Sequence, residues 1–172
     1  MEFKPWPKIT RVENRRAPIF TEKIDGTNAC IVIGEAGEFA CQSRSRFITP
    51  EDDNFGFARW AYENKNELYK LGPGYHYGEW WGQGIQRGYG LTEKKFSLFN
   101  TRRWGSHNPN TPVCVSVVPT LPVRTIEEVK QFLLQNGSVA APGWEKPEGA
   151  VMYEPDTDTC FKIIIDKYRE LA

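Results

Sequence analysis

The run Thr21-Glu22-Lys23-Ile24-Asp25-Gly26-Thr27-Asn28 gathers an amine, carboxylates and a flexible turn into a short stretch. Apolar segments flank it, Pro18-Ile19-Phe20 before and Ala29-Cys30-Ile31-Val32-Ile33 after. Lys23 is therefore expected near a strand end, with Asp25-Gly26 turning into the next strand. A lysine fixed there beside a carboxylate becomes a covalent nucleophile once its amine loses its proton. The free amine titrates near about 10.4, so deprotonation at pH 7 costs roughly 4–5 kcal/mol. Desolvation or nearby cations, bound metal ions included, can offset that cost. The same residues also suit an ordinary exposed hairpin with a solvated lysine, and KxDG alone does not separate the two.

Other positions carry chemistry of the same kind. Glu79 sits in the aromatic stretch Tyr75-His76-Tyr77-Gly78-Glu79-Trp80-Trp81, where a carboxylate is costly without a partner or ligand. Gly82 to Gly90 then carries a glycine every few residues, which lets backbone approach a ligand closely. Aromatic packing at a barrel-like corner accounts for the same block. Arg44 and Arg46, two apart on a strand, point the same way and suit phosphate or a solvated face. Glu148 opens the strand-like run Glu148-Gly149-Ala150-Val151-Met152-Tyr153. Lys162 interrupts the apolar run Cys160–Ile165, where it is expensive unless it snorkels out or meets an anion.

The elements that must position these residues follow from pattern. Strands are expected at about 17–25, 28–34, 38–43, 75–81, 94–100, 113–118, 148–153 and 160–165. A helix is expected from Thr49-Pro50-Glu51-Asp52, read as an N-cap with proline at the first position, through Phe57, Trp60, Leu68 and Lys70 to Gly72. A second follows the capping box Thr125-Ile126-Glu127-Glu128 and closes at Asn136-Gly137. In 94–100, Lys94, Phe96 and Leu98 take one face and Lys95, Ser97 and Phe99 the other. Many short strands, mostly in hairpins, with two helices make an α+β fold of largely antiparallel sheets.

The chain of 172 residues suits one domain, 1–172, with a real core. Lys+Arg and Asp+Glu both number 22, so a strong non-specific grip on nucleic acid over the whole surface is not expected, although local basic patches are compatible with neutrality. Cys30, Cys41, Cys114 and Cys160 form no CxxC pair, and His76 and His107 have no ligand-like spacing. Neither zinc nor a disulfide framework is expected. No apolar run approaches a membrane span, so the setting is read as reducing and cytoplasmic.

Lys23 in KxDG, Arg44 after a strand, Glu79 in a Gly-Glu strand, Phe99, Glu148 in Glu-Gly-x-Val and Lys162 in a final strand resemble, in type and order, the motifs of the covalent nucleotidyltransferases. These are ATP-dependent DNA and RNA ligases and mRNA-capping enzymes. The closer resemblance is to RNA ligases of the second phage type, which include the kinetoplastid RNA-editing ligases. Glu22-Lys23-x-x-Gly26-Thr27-Asn28 looks like that type's first motif, and Gly78-Glu79 with Gly82-x-Gly84-Ile85-Gln86 like its third. Phe99-Asn100 stands where it has Phe-Asp, Glu148-Gly149-Ala150-Val151 looks like the fourth motif, and Phe161-Lys162 like the fifth. The fifth usually ends Lys-x-Lys. Here Ile163-Ile164 follows Lys162, so the second lysine is absent or Lys167 stands in. Ala172 comes soon after the last motif, so the C-terminal accessory domain is expected to be absent, with a partner domain or subunit in its place.

The resemblance implies an adenylyltransferase domain and three steps of phosphoryl transfer. Lysine attacks the α-phosphate of ATP, AMP moves to a 5′-phosphate end, and a 3′-hydroxyl displaces AMP to seal the strand. It implies Lys23 as nucleophile, Lys162 neutralising the α-phosphate, and Glu148 binding Mg²⁺ or Mn²⁺ directly or through water. Glu79 would hydrogen-bond the ribose, Phe99 stack on adenine, and Arg44 with Arg46 hold phosphate or ribose. Asn28 would lie near the nucleotide and the RNA end, with Asp25 and Gly26 beside it, and backbone at Glu22 and Ile24 would read the adenine edge. The implied partners are RNA ends or a nicked duplex, or DNA, in a bacterial or phage-infected cell. A GTP-using capping enzyme, a DNA ligase and a non-catalytic nucleic-acid-binding module on a degenerate ligase fold stand as the alternatives.

Overall fold

The computed structural model describes residues 1–165. Lys167, the alternative for the second motif lysine, lies outside the described residues. In chain order the strands and helices are β1 (Ile19–Lys23), β2 (Thr27–Ile33), β3 (Phe39–Ser43), β4 (Phe47–Ile48), α1 (Phe57–Glu63), α2 (Lys65–Leu68), β5 (Gly74–Gly82), β6 (Lys94–Leu98), β7 (Ser116–Val117), α3 (Ile126–Asn136), β8 (Gly149–Glu154) and β9 (Thr159–Ile164). The α+β reading holds. One sheet has the order β1-β8-β9 and the other β4-β3-β2-β5-β6-β7. All pairings are antiparallel except β6 with β7. None of the described helices is long and apolar enough to cross a membrane.

Each sheet buries one face under helices. Ile31, Trp80, Phe96 and Leu98 of the larger sheet pack with Phe57, Leu68 and Leu71. Phe20, Ala150 and Ile163 of the smaller sheet pack with Val129 and Leu133 of α3. Because side chains alternate along a strand, the residues between these face the other way. Thr21, Lys23, Val151, Tyr153, Asn28 and Glu79 accordingly line a cavity of about 550 Å³ between the sheets.

Several sequence expectations need correcting. Asp25-Gly26 leads into the next strand as expected, but the alternative of a hairpin does not hold. β1 pairs with β8 and β2 with β5, so these residues carry the chain from one sheet to the other. Gly26 makes the crossing against the larger sheet, where a Cβ would overlap the Trp80 carbonyl oxygen and come within 2.7 Å of Trp81 Cβ. Gly26→Ala is expected to cost about 1–3 kcal/mol by overpacking. The check is the denaturant midpoint, and a midpoint equal to wild type would refute it.

The first helix begins at Phe57, not at Thr49. The Thr49 hydroxyl accepts the Asp52 N–H at 3.1 Å and closes a turn. The Asp53 carboxylate takes the Ala58 and Arg59 N–H groups at 2.8 and 3.0 Å, so the helix is supported from Asp53, beyond the expected cap at Thr49. Arg44 and Arg46 lie in the bend between β3 and β4, not on a strand. Of the run 113–118 only Ser116–Val117 is strand. The second helix is capped at Thr125 as expected, its hydroxyl accepting the Glu128 N–H at 3.2 Å, but the Glu128 carboxylate returns to the Arg124 N–H at 2.8 Å and not to that of Thr125.

Candidate active site

Lys23 ends β1, opposite Gly149 at the start of β8. That register puts its amine beside Glu148, and Nζ lies 2.9 Å from Oε1. The second carboxylate oxygen, Glu148 Oε2, is buried and has no hydrogen-bond partner among the described residues. A buried charged oxygen left unpaired is costly, so it is a ready ligand for a hard cation.

Glu79 approaches from the opposite wall. It pairs with Asn28 across β2–β5, and its Oε1 accepts the Gly26 N–H at 3.1 Å. Burial pushes its carboxyl from an ordinary value near 4.5 up to about 7. The Gly26 bond and the Lys23 charge oppose that rise, and Glu148 and Asp25 add to it. The folded protein thus holds this proton more tightly than the unfolded chain does. Its contribution to stability is full below about 4.5 and is lost as pH rises through about 7, a change of roughly 3 kcal/mol. Glu79→Gln, which keeps the acceptor for Gly26, is expected to flatten the fall in Tm between pH 5 and 8. An unchanged Tm-against-pH slope would refute the account.

The segment around the lysine is braced on both sides. Glu22 is buried and accepts the Ser138 hydroxyl at 2.8 Å and the Val139 and Ala140 N–H groups at 2.6 and 3.3 Å. Burial raises its carboxyl, and these bonds offset part of the rise. Its own N–H is taken by the Pro119 carbonyl at 2.9 Å. Asp25 accepts from Arg87 Nε at 2.9 Å, and its N–H donates to the Tyr89 hydroxyl at 2.8 Å. Arg87 also donates to the Lys146 carbonyl at 3.0 Å. The glycine-containing segment after β5 therefore locks the turn after Lys23. Arg87, Tyr89 and Ser138 were not singled out in the sequence. Only the crowding of glycines around Arg87 and Tyr89 hinted at a loop that folds back.

Glu22, Lys23, Ile24, Asn28, Glu79 and Phe99 all line the cavity. Phe99 follows β6 on the expected face and is exposed. Glu148 meets Lys23 at the cavity wall. Arg44 and Arg46 are not among the lining residues. Arg46 pairs with Asp52 at 2.9 Å and donates to the Asp53 carbonyl. Lys162 is exposed on β9, opposite Val151 and on the cavity-facing side of the small sheet. It is not buried in an apolar strand, because the first four residues of β9 are all exposed, so its presence there requires no anion.

A nucleophile-capable amine, an unpartnered carboxylate oxygen, a second buried carboxyl and an exposed aromatic ring thus converge on a cleft of small-ligand size. The family model described as RNA ligase matches residues 17–165. No curated protein matches the chain. Among solved structures, a variant of the Naegleria gruberi RNA ligase with ATP and Mn shares 21% identity at a TM-score of 0.66, covering 92% of this chain and 52% of that one. The same ligase with PPi shares 22% at a TM-score of 0.66, over 92% and 52%. A variant with AMP and Mn shares 21% at 0.60, over 93% and 53%. The chain spans about half the length of these structures, and at such identity the likeness is one of fold.

Proposed function

The chain belongs to the RNA ligase family, and from that premise we propose that it is an ATP-dependent RNA ligase, or the adenylating part of one, working through a lysyl-AMP intermediate. The observation that carries the reading is the Lys23 amine on the cavity wall, 2.9 Å from a Glu148 carboxylate whose other oxygen is buried and unpartnered.

Lys23 Nζ would attack the α-phosphorus of ATP, forming the N–P bond as the bond to pyrophosphate breaks. The 5′-phosphate of an RNA end would then take AMP, with Nζ as leaving group, and a 3′-hydroxyl would expel AMP as the strand is sealed. Such transfers need in-line placement and charge neutralisation more than acid–base chemistry. Phe99 would stack on the adenine, and Glu79 with Asn28 would hold the ribose side. Ile24 and Glu22 backbone would meet the adenine edge, although the Glu22 N–H is already engaged, which leaves its carbonyl. The braces on Asp25 and Glu22 keep Lys23 in one place. Lys162 would lie toward the phosphates from its exposed position, and Arg44 and Arg46 would reach a phosphate only from the β3–β4 bend.

The orphaned oxygen of Glu148 fits a divalent ion, Mg²⁺ or Mn²⁺. Such an ion would supply positive charge that offsets the phosphates. For the two steps on RNA we propose that a further domain or subunit helps seat the ends.

The test is incubation with α-labelled ATP or GTP and Mg²⁺ or Mn²⁺, followed by a denaturing gel and chase with 5′-phosphorylated RNA or DNA. ATP is expected to label the protein and RNA to remove the label. Folded protein without an adduct under any nucleotide or metal would overturn the reading, and a GTP-only adduct would replace it with capping chemistry.

A further inference from the structure

Along β5, Tyr75 and Tyr77 alternate with buried His76 and Gly78 and share the face of Glu79. Both rings are largely exposed, 57% and 55%, and they stand nearly parallel with centroids 6.2 Å apart and an interplanar angle of 18°. The β5–β6 register, carried one step past Leu98, sets Phe99 opposite Tyr77, and the Phe99 N–H donates to the Tyr77 carbonyl at 3.0 Å. Phe99 is itself 44% exposed. Three neighbouring aromatic rings are thus open to solvent on one sheet face, although the opposite face of the same sheet buries Trp80 and Phe96 in core. Scattered exposed rings need no explanation, but a contiguous set marks a surface that something covers.

The surroundings say what covers it. The set is continuous with the cavity that holds Lys23 and Glu79. Arg102 borders it, donating to the Tyr153 hydroxyl at 2.8 Å with its guanidinium 4.8 Å from that ring's centre. Flat exposed rings on a sheet, next to an arginine, suit unpaired bases and their phosphates. One ring, Phe99, is already assigned to the adenine of ATP, so the rings beyond it are left for another base.

We infer that Tyr75 and Tyr77 form a stacking subsite for unpaired bases of the RNA strand, continuous with the nucleotide cavity and bordered by Arg102. This rests on the ligase reading, because the cavity's role fixes which polymer reaches the rings. The subsite is a property of single strands. A base held in a duplex keeps its faces against its neighbours and cannot use it.

The test is binding of a fluorescent single-stranded oligoribonucleotide with a 5′-hydroxyl, which cannot accept AMP, by anisotropy at fixed salt. Tyr75→Leu and Tyr77→Leu keep apolar bulk and lose the ring, whereas Tyr75→Phe and Tyr77→Phe keep it. Each leucine variant is expected to weaken binding by roughly 5- to 100-fold, and each phenylalanine variant to bind like wild type. Thermal unfolding of every variant separates misfolding from lost contact. Equal binding by wild type and folded leucine variants would overturn the subsite. So would an equal loss in the phenylalanine variants, or wild-type binding that prefers a blunt duplex. A chain that makes lysyl-AMP but shows none of this binding refutes the subsite alone. One that binds through these rings yet takes no label refutes the ligase reading alone.

Discussion

Lys23→Ala is expected to abolish the covalent nucleotide adduct completely and to leave the fold in place. Lys23 Nζ contacts Glu148 at 2.9 Å and is partly solvated, so the side chain is not core. Removing it leaves Glu148 with both oxygens short of a partner, a loss on the order of 1–3 kcal/mol that a domain tolerates. Lys23→Arg sharpens the test. Arginine retains a cation for Glu148, but its guanidinium does not deprotonate in proteins and cannot form the N–P bond. Intact mass after incubation with ATP and Mn²⁺ should show the adduct on wild type and on neither variant. An adduct on Lys23→Ala would move the nucleophile elsewhere and remove the basis of the proposed chemistry.

The second large effect is at Glu148. Glu148→Gln keeps an acceptor for Lys23 and removes the negative charge. Adduct formation should slow by about 10²–10³-fold at saturating ATP, the scale of losing one preorganised electrostatic contact in a phosphoryl transfer. The metal concentration needed for half-maximal rate should rise as well, because the unpartnered oxygen would be lost as an anionic ligand. Initial rates over a Mn²⁺ titration report both. A variant within about threefold of wild type, a difference under 1 kcal/mol, would take Glu148 out of the chemistry.

The sequence made the strands legible wherever apolar alternation was clean. The faces of β6 were read correctly down to Ser97 and Phe99, and the second helix announced itself through Thr125 and Glu128. The convergence of Lys23, Glu79, Asn28 and Phe99 on one cavity followed from motif order through resemblance, since no local pattern states that β1 and β2 belong to different sheets. That topology is decided by pairings more than a hundred residues apart, such as Lys23 with Gly149. The misplaced helix start had a similar cause. Thr49 offered a correct cap pattern, but its hydroxyl closes a turn on the Asp52 N–H, and Asp53 takes the first-turn donors next to the residues that bury. For Lys162 the apolar letters around it suggested burial, whereas the start of β9 is exposed. The exposed rings of Tyr75 and Tyr77 were visible as an aromatic run, and only the register with β6 showed that they join Phe99.

The smaller sheet is stitched from the two ends of the described chain, with β1 between Ile19 and Lys23 and its partner β8 beginning at Gly149. The larger sheet is drawn from the contiguous stretch 27–117. On the ribosome, where segments fold in order of synthesis, the larger sheet can assemble while β1 still has no neighbour. The Lys23 amine therefore remains on an unpaired strand until β8 has emerged, 125 positions separating Lys23 from the carboxylate it meets. A nascent or prematurely terminated chain would carry Lys23 without Glu148, so the proposed charging with nucleotide would double as a readout that translation has passed β8.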